Sequence, residues 1–133
     1  MNEKEYYYDV DGREWEYRPE KKVTSPDERP VVGDILYLKQ ENCYVVIIEK
    51  SYLRKDYTYV KVRSGGRQPN SIFAQSWLPV EQNVKTFKEE ELEPPRIYLH
   101  NQWCEYIIVD QMVPAYRRKL LKMYGLLSKH GPE

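Results

Sequence analysis

Val31-Val32-Gly33-Asp34-Ile35-Leu36-Tyr37-Leu38, followed after Glu41-Asn42 by Cys43-Tyr44-Val45-Val46-Ile47-Ile48, is the stretch that decides the fold. Gly33-Asp34 punctuates the chain as a turn, and a strand starts there. Glu41-Asn42 makes a second turn. The run from Cys43 to Ile48 is apolar on both faces, the mark of a central strand covered from two sides. Polar residues from Ser51 to Asp56 make a third turn. Tyr57 to Arg63 then alternates, with Thr58, Val60 and Val62 on one face and Tyr57, Tyr59, Lys61 and Arg63 on the other. A loop follows at Ser64-Gly65-Gly66-Arg67-Gln68-Pro69-Asn70. Ile72 to Leu78 reads as another strand, ended by Pro79, and Val84 to Phe87 as a short one. Meandering strands of this length predict a small barrel or sandwich.

The N-terminal segment predicts an aromatic hairpin. Asp11-Gly12 suits a type I′ turn, which needs positive φ at both central residues. With those two as the loop, Val10 faces Arg13, Tyr8 faces Trp15 and Tyr6 faces Tyr17, all on one face, while Tyr7 lies over Glu16 and Asp9 over Glu14. Residues 18–30, with three prolines and seven charges, make a polar connector or extended arm. On the other side, Pro95 excludes Pro94 from the α region, so any helix ends at the acidic joint Glu89-Glu90-Glu91-Leu92-Glu93. A second hairpin with His100-Asn101 as its loop pairs Leu99 with Gln102, Tyr98 with Trp103, Ile97 with Cys104 and Arg96 with Glu105, and its strand runs on through Val109.

The last element is an amphipathic helix with Pro114 in its first turn. Tyr116, Leu120, Met123 and Leu127 recur at helical spacing, widened by Leu121 and Tyr124. Arg117, Arg118, Lys119, Lys122 and Lys129 are assigned to the remaining surface, and Gly131-Pro132 is a stop signal. Such a stripe packs on its own barrel or docks on a partner subunit. The expected organisation is one domain: the hairpin over 1–17, the connector over 18–30, a barrel core over 31–88, and a hairpin plus helix over 96–133.

The chain has 133 residues, with 21 Lys and Arg against 21 Asp and Glu. Zero net charge argues against a bulk nucleic-acid coat and against an acidic DNA mimic, both of which need a large field of one sign. Residues 1–20 hold seven acids and three bases, whereas residues 115–133 hold five bases and one acid, so packing between copies would pair unlike ends. Tyrosine is used 13 times and phenylalanine twice, which suits strands and half-wet surfaces. The charged start, Met1-Asn2-Glu3-Lys4-Glu5, lacks a signal-peptide apolar region, and Tyr44 to Ile48 is too short to span a bilayer. The expectation is a soluble, cytoplasmic protein without membrane association.

Catalytic and metal chemistry find little support. His100 and His130 are far apart, and Cys43 and Cys104 lack paired ligand spacing, so no metal site and no cofactor are expected and the thiols read as buried core groups. A Cys104–His100 dyad fails because Cys104 faces Ile97 while His100 sits at the turn. Asp9 and Glu14 read as two solvated acids rather than an acid–base pair. Ser64-Gly65-Gly66 lacks the Lys-Ser/Thr of a phosphate loop. Between Tyr52 and Arg67, aromatics interleave with cations, as on small barrels whose rings stack on bases and whose cations meet phosphates.

Pro30, Gly33-Asp34-Ile35-Leu36, Tyr44-Val45-Val46-Ile47-Ile48 and Tyr59-Val60-Lys61-Val62 together give residues 30–63 a cadence that resembles SH3-like small barrels, among them head–tail joining proteins of tailed phages. That resemblance implies a non-catalytic structural protein that assembles into a ring, located in the virion. The reading from sequence is a mainly β protein: an SH3-like barrel or sandwich with an N-terminal aromatic hairpin, a second hairpin and one C-terminal helix. Its expected function is non-catalytic protein–protein interaction, with itself or within a larger assembly. Tyr6, Tyr8, Trp15 and Tyr17 form one contact face and Tyr116, Leu120, Met123 and Leu127 a second, because Tyr and Trp are the residue types enriched at interfaces. The alternative is a nucleotide- or nucleic-acid-binding barrel using Tyr57, Tyr59, Lys61, Arg63 and Arg67, such as a mobile-element protein that sequesters a nucleotide signal or blocks a host defence protein.

Overall fold

A computed structural model describes residues 6–8, 14–17, 28–65 and 77–126. The chain is mainly β, with two sheets and one helix at its C-terminal end. In chain order the strands are β1 (Tyr6–Tyr8), β2 (Glu14–Glu16), β3 (Asp34–Leu38), β4 (Cys43–Ser51), β5 (Asp56–Ser64), β6 (Trp77–Pro79), β7 (Lys85–Lys88), β8 (Leu92–Glu93), β9 (Arg96–Leu99) and β10 (Gln102–Gln111), followed by helix α1 (Pro114–Met123). A 3₁₀ turn, Glu89–Glu91, separates β7 from β8. β1 and β2 form the two-stranded sheet, and the larger sheet runs β6-β5-β4-β3-β10-β9-β8, with β7 also pairing β5.

The β3–β4–β5 meander follows the sequence reading. Asn42 takes φ 49° in the tight turn that joins β3 to β4. The β9–β10 hairpin has the predicted register throughout: Gln102 opposite Leu99, Trp103 opposite Tyr98, Cys104 opposite Ile97 and Glu105 opposite Arg96. His100 and Asn101 both take positive φ, 52° and 65°, as a two-residue type I′ loop requires. The core is not confined to residues 31–88. β10 pairs with β3 from Tyr106 to Gln111, so the second hairpin is an integral part of the central sheet. Ile72 to Ser76 of the strand expected at Ile72–Leu78 lie outside the described residues, and Pro79 is the last residue of β6 rather than the residue after it.

Both faces of the sheet are covered. One face buries Leu36, Leu38, Val45, Ile47, Tyr57, Tyr59, Phe87, Ile97, Leu99, Cys104, Tyr106 and Ile108 in one cluster. That cluster draws on β7 and on β8, which lie toward opposite ends of the sheet, so the sheet rolls around it. The other face buries Ile35, Val46, Ile48, Val60, Val62 and Trp77 against Met112, Leu120 and Leu121. Burying each leucine of α1 contributes about 1.5–3 kcal/mol, which fastens the helix to its own sheet.

Two β-bulges reset the alternation. The β4–β5 register shifts between Ile47 and Glu49, and the β10–β3 register shifts between Ile108 and Asp110. An extra residue in one strand turns every later side chain to the other face. Glu49 therefore pairs with Thr58, on the Val60 and Val62 side, and Asp110 pairs with Ile35. Both acids face the helix side of the sheet, where each meets a partner. Arg117 of α1 donates from its guanidinium to Glu49 Oε1 at 3.2 Å, and the Trp77 indole N–H donates to Asp110 Oδ2 at 2.9 Å. Arg117 Nε also donates to the Ile48 carbonyl at the bulge, at 2.8 Å. Arg117 is thus a buried clasp, 2% exposed, and not one of the solvated cations expected on the helix surface.

Candidate functional site

The N-terminal hairpin is seated one residue out of the predicted register. Tyr7 lies opposite Trp15, Tyr6 opposite Glu16 and Tyr8 opposite Glu14. Trp15 consequently shares a face with Tyr7, and Tyr17 contacts Tyr7 edge-on at 6.1 Å. Tyr6 does not share the face of Trp15 and Tyr17, so the predicted contact face of Tyr6, Tyr8, Trp15 and Tyr17 is divided. The physical reason is long-range. Tyr7 is buried, its hydroxyl donates to the Met112 carbonyl, and Arg117 lies 5.8 Å from its ring. Burial, then the neighbouring Tyr17, push the Tyr7 phenol far above its ordinary pKa. Gly33 makes the seat: it takes φ +94°, and a Cβ there would come within 2.7 Å of Tyr7 Cε1 and closer still to Cζ. Around it, Gln111 donates to Asp34 Oδ1 at 2.9 Å and Val31 N–H to Asp34 Oδ2 at 2.9 Å.

The predicted helical stripe is also divided. Leu120 is fully buried, Tyr116 is half-buried, Met123 is 62% exposed and Leu127 lies outside the described residues. α1 spends its apolar face on its own sheet. The Tyr124 hydroxyl donates to the Glu81 carbonyl at 2.7 Å, and Met123 and Val80, both exposed, flank that bond.

The Tyr57-to-Arg67 face fares differently from its reading. Alternation along β5 is as expected, but Tyr57 and Tyr59 are only 4% and 5% exposed. Phe87 of β7 stacks on Tyr57 at 4.8 Å and tilts against Tyr59 at 5.7 Å. Burial raises both phenols to about 12, helped by Glu89 at Tyr57 and Glu41 at Tyr59. These rings belong to the core and offer no stacking platform. Lys61 and Arg63 are exposed further along the strand, and Arg67 lies outside the described residues.

The catalytic candidates do not assemble. Cys104 is buried opposite Ile97, and His100 Nδ1 instead meets Glu41 Oε2 at 2.5 Å. Burial raises the Cys104 and Cys43 thiols, away from the thiolate a nucleophile needs. Asp9 lies outside the described residues, while Glu14 is exposed. Among the described residues no three His, Cys, Asp or Glu side chains converge on a metal-sized site. Among them, too, no helix is long and apolar enough to cross a membrane.

Two surface features remain. The first is an aromatic field on the outer face of the sheet, beyond the part that α1 covers. Tyr98 and Trp103 meet edge-on at 5.3 Å, and Arg96 lies 4.3 Å above the indole. Four residues further along β10, on the same face, Ile107 pairs with Tyr37, which pairs with Tyr44 at 5.1 Å between rings. All five apolar side chains are half-buried. A charged row crosses the field between its two halves, because Glu105 lies between Trp103 and Ile107 on the same face of β10, with Arg96 opposite it; Arg96 bonds Glu93 at 2.6 Å, and Lys39 lies 3.8 Å from Glu105. The hairpin register and strand alternation, both legible in the sequence, suffice to place Tyr98 and Trp103 together, but the field itself was not among the residues singled out there.

The second feature is a cleft of about 290 Å³ where the N-terminal hairpin meets the end of β4 and the 3₁₀ turn. Trp15 stacks nearly parallel to Tyr52, at 9° and 6.1 Å. Lys50 and Tyr57 lie deeper, and Arg29 and Glu89 stand at the edge. No protein-family model, curated protein or solved structure matches this chain.

Proposed function

We propose that the protein is a non-catalytic protein–protein interaction module that assembles with further copies of itself through the outer face of its sheet. The observation that carries this reading is the half-exposed field of Tyr98, Trp103, Ile107, Tyr37 and Tyr44. Tyr, Trp and Arg are the residue types that dominate binding energy, and they do so where polar groups ring an apolar centre. Arg96, Lys39, Glu93 and Glu105 supply both signs of charge among these rings. A two-fold contact brings the same patch against itself, so mixed signs on one patch allow each charge to find its opposite.

Light scattering after size-exclusion chromatography, over a range of protein concentrations, tests the reading. The wild-type mass rises above that of the monomer. Trp103→Ser together with Tyr98→Ser keeps the mass monomeric, with an unchanged far-ultraviolet circular dichroism spectrum. A wild-type protein that stays monomeric at every concentration defeats self-assembly. An assembly indifferent to the double substitution defeats this face as its interface. Recording absorbance at 260 and 280 nm in the same run separates protein assembly from co-purified nucleotide.

A further inference from the structure

The aromatic cleft is a different site from the sheet face, and its chemistry is more particular. Lys50 lies on β4 just beyond the bulge, which points it at Tyr57 rather than at α1. Its side chain is 5% exposed. Its Nζ sits 4.3 Å from the Tyr57 ring centroid and 4.6 Å from that of Tyr52. Glu89 Oε1 approaches to 3.3 Å, yet among the described residues Nζ makes no hydrogen bond of acceptable geometry. Ring faces and a nearby carboxylate offset the charge of an ammonium, but among the described residues they give it no well-aligned hydrogen bond. A buried donor in that state is costly unless an acceptor arrives.

The rest of the cleft favours an acceptor that carries negative charge. Arg29 is exposed at the edge, close enough for its charge to favour the Tyr57 phenolate. Among the described lining residues, with Lys50 it outweighs the carboxylate of Glu89. Glu89 is anchored through its backbone, whose N–H donates to the Lys55 carbonyl at 2.8 Å. Its side chain is 42% exposed, so the carboxylate can turn to water while the backbone stays in place. The parallel Trp15 and Tyr52 rings give the cleft a flat apolar wall. At about 290 Å³ it has the size of a small-ligand pocket.

We infer that this cleft binds a small aromatic oxyanion, a carboxylate or phosphate monoester on a flat ring. The oxyanion accepts hydrogen bonds from Lys50 and Arg29 in place of Glu89, and the ring lies along Trp15 and Tyr52. Charge-assisted hydrogen bonds to a buried ammonium supply the specificity for negative charge.

Titration with phenyl phosphate, inorganic phosphate, benzyl alcohol and benzylammonium, followed by calorimetry and by amide and indole shifts in a nitrogen–proton spectrum, tests this. Phenyl phosphate gives saturable shifts at Trp15, Lys50 and Tyr52. Inorganic phosphate and benzyl alcohol, each lacking half of the ligand, bind at least about tenfold more weakly. Lys50→Gln and Arg29→Gln each weaken phenyl phosphate binding, the first by about tenfold or more. Glu89→Gln tightens it severalfold, because the competing carboxylate is gone. Arg29 and Glu89 are exposed enough for their substitution to leave the fold intact, so the test survives if Lys50→Gln misfolds. Absence of saturable binding at millimolar phenyl phosphate, preference for benzylammonium, or weaker binding by Glu89→Gln overturns the inference.

Discussion

Replacing Gly33 by alanine tests how the N-terminal hairpin is held. Two separate costs apply. At φ +94° an L-residue is strained, by about 1–2 kcal/mol. The new methyl also lands on the Tyr7 ring, within 2.7 Å of Cε1 and closer to Cζ, and overpacking of this kind costs about 1–3 kcal/mol. The second cost has a ceiling. If crowding exceeded the value of a buried aromatic side chain, about 3–5 kcal/mol, Tyr7 would leave its seat and take β1 and β2 with it. Gly33→Ala is therefore expected to destabilise by about 2–5 kcal/mol. Urea denaturation followed by tryptophan fluorescence measures the total, and a double-mutant cycle separates the parts. In a Tyr7→Ala background the ring is gone, so Gly33→Ala costs only the backbone term of about 1–2 kcal/mol. Equal costs in the two backgrounds, or a total below that term, would refute the idea that Gly33 exists to seat Tyr7.

Other consequences follow from the buried polar groups. Arg117→Met, which removes the partner of Glu49, is expected to cost about 3–5 kcal/mol in urea denaturation, and adding Glu49→Gln to that variant should recover part of it. Tyr57 and Tyr59 stay protonated in the folded chain up to about 12, whereas ordinary tyrosine ionises near 10.0. The unfolded chain then releases protons first, so the stability they confer is full below pH 10 and drains away between about pH 10 and 12; phenolate absorbance and circular dichroism recorded together should show ionisation of these rings coinciding with unfolding. Lys61→Ala with Arg63→Ala should change stability by no more than about 0.5 kcal/mol, because both side chains are exposed.

Legibility from sequence tracked the range of the interactions involved. The β9–β10 register was readable because each facing pair is chemically coherent and the loop is short. The β3–β4–β5 meander was readable because its turns are local and its strands strongly apolar. The N-terminal register was not. It turns on Tyr7 reaching Met112 and Gly33, contacts that no local rule reveals, and a period-two pattern changes face with a slip of one residue. Tyr57 and Tyr59 alternate as read, but their exposure depends on Phe87, which arrives from β7. Arg117 looked like one cation among several on the helix. Its burial depends on the bulge at Ile48, and nothing in Ile47-Ile48-Glu49 announces that two of these residues oppose one on β5. In the candidate sites, the residue types were visible while their grouping was not: Lys50 and Trp15 are far apart in sequence yet line one cleft.

The position of β10 bears on the order in which the chain acquires its structure. β3, β4 and β5 can pair as soon as they exist, since each is joined to the next by a tight turn. The other edge of β3 receives β10, with Gln111 opposite Asp34 across 77 residues of chain. Closing so long a loop is slow, because its entropy is lost before the contact repays it. During synthesis, β3 would wait with an open edge of backbone donors and acceptors until the ribosome had released residue 111. An open, apolar edge of that kind is a template for the wrong partner. Truncations ending before β10 should therefore aggregate through β3 rather than remain as a smaller folded unit, and yield on expression should depend more on the segment after Arg96 than on the N-terminal hairpin.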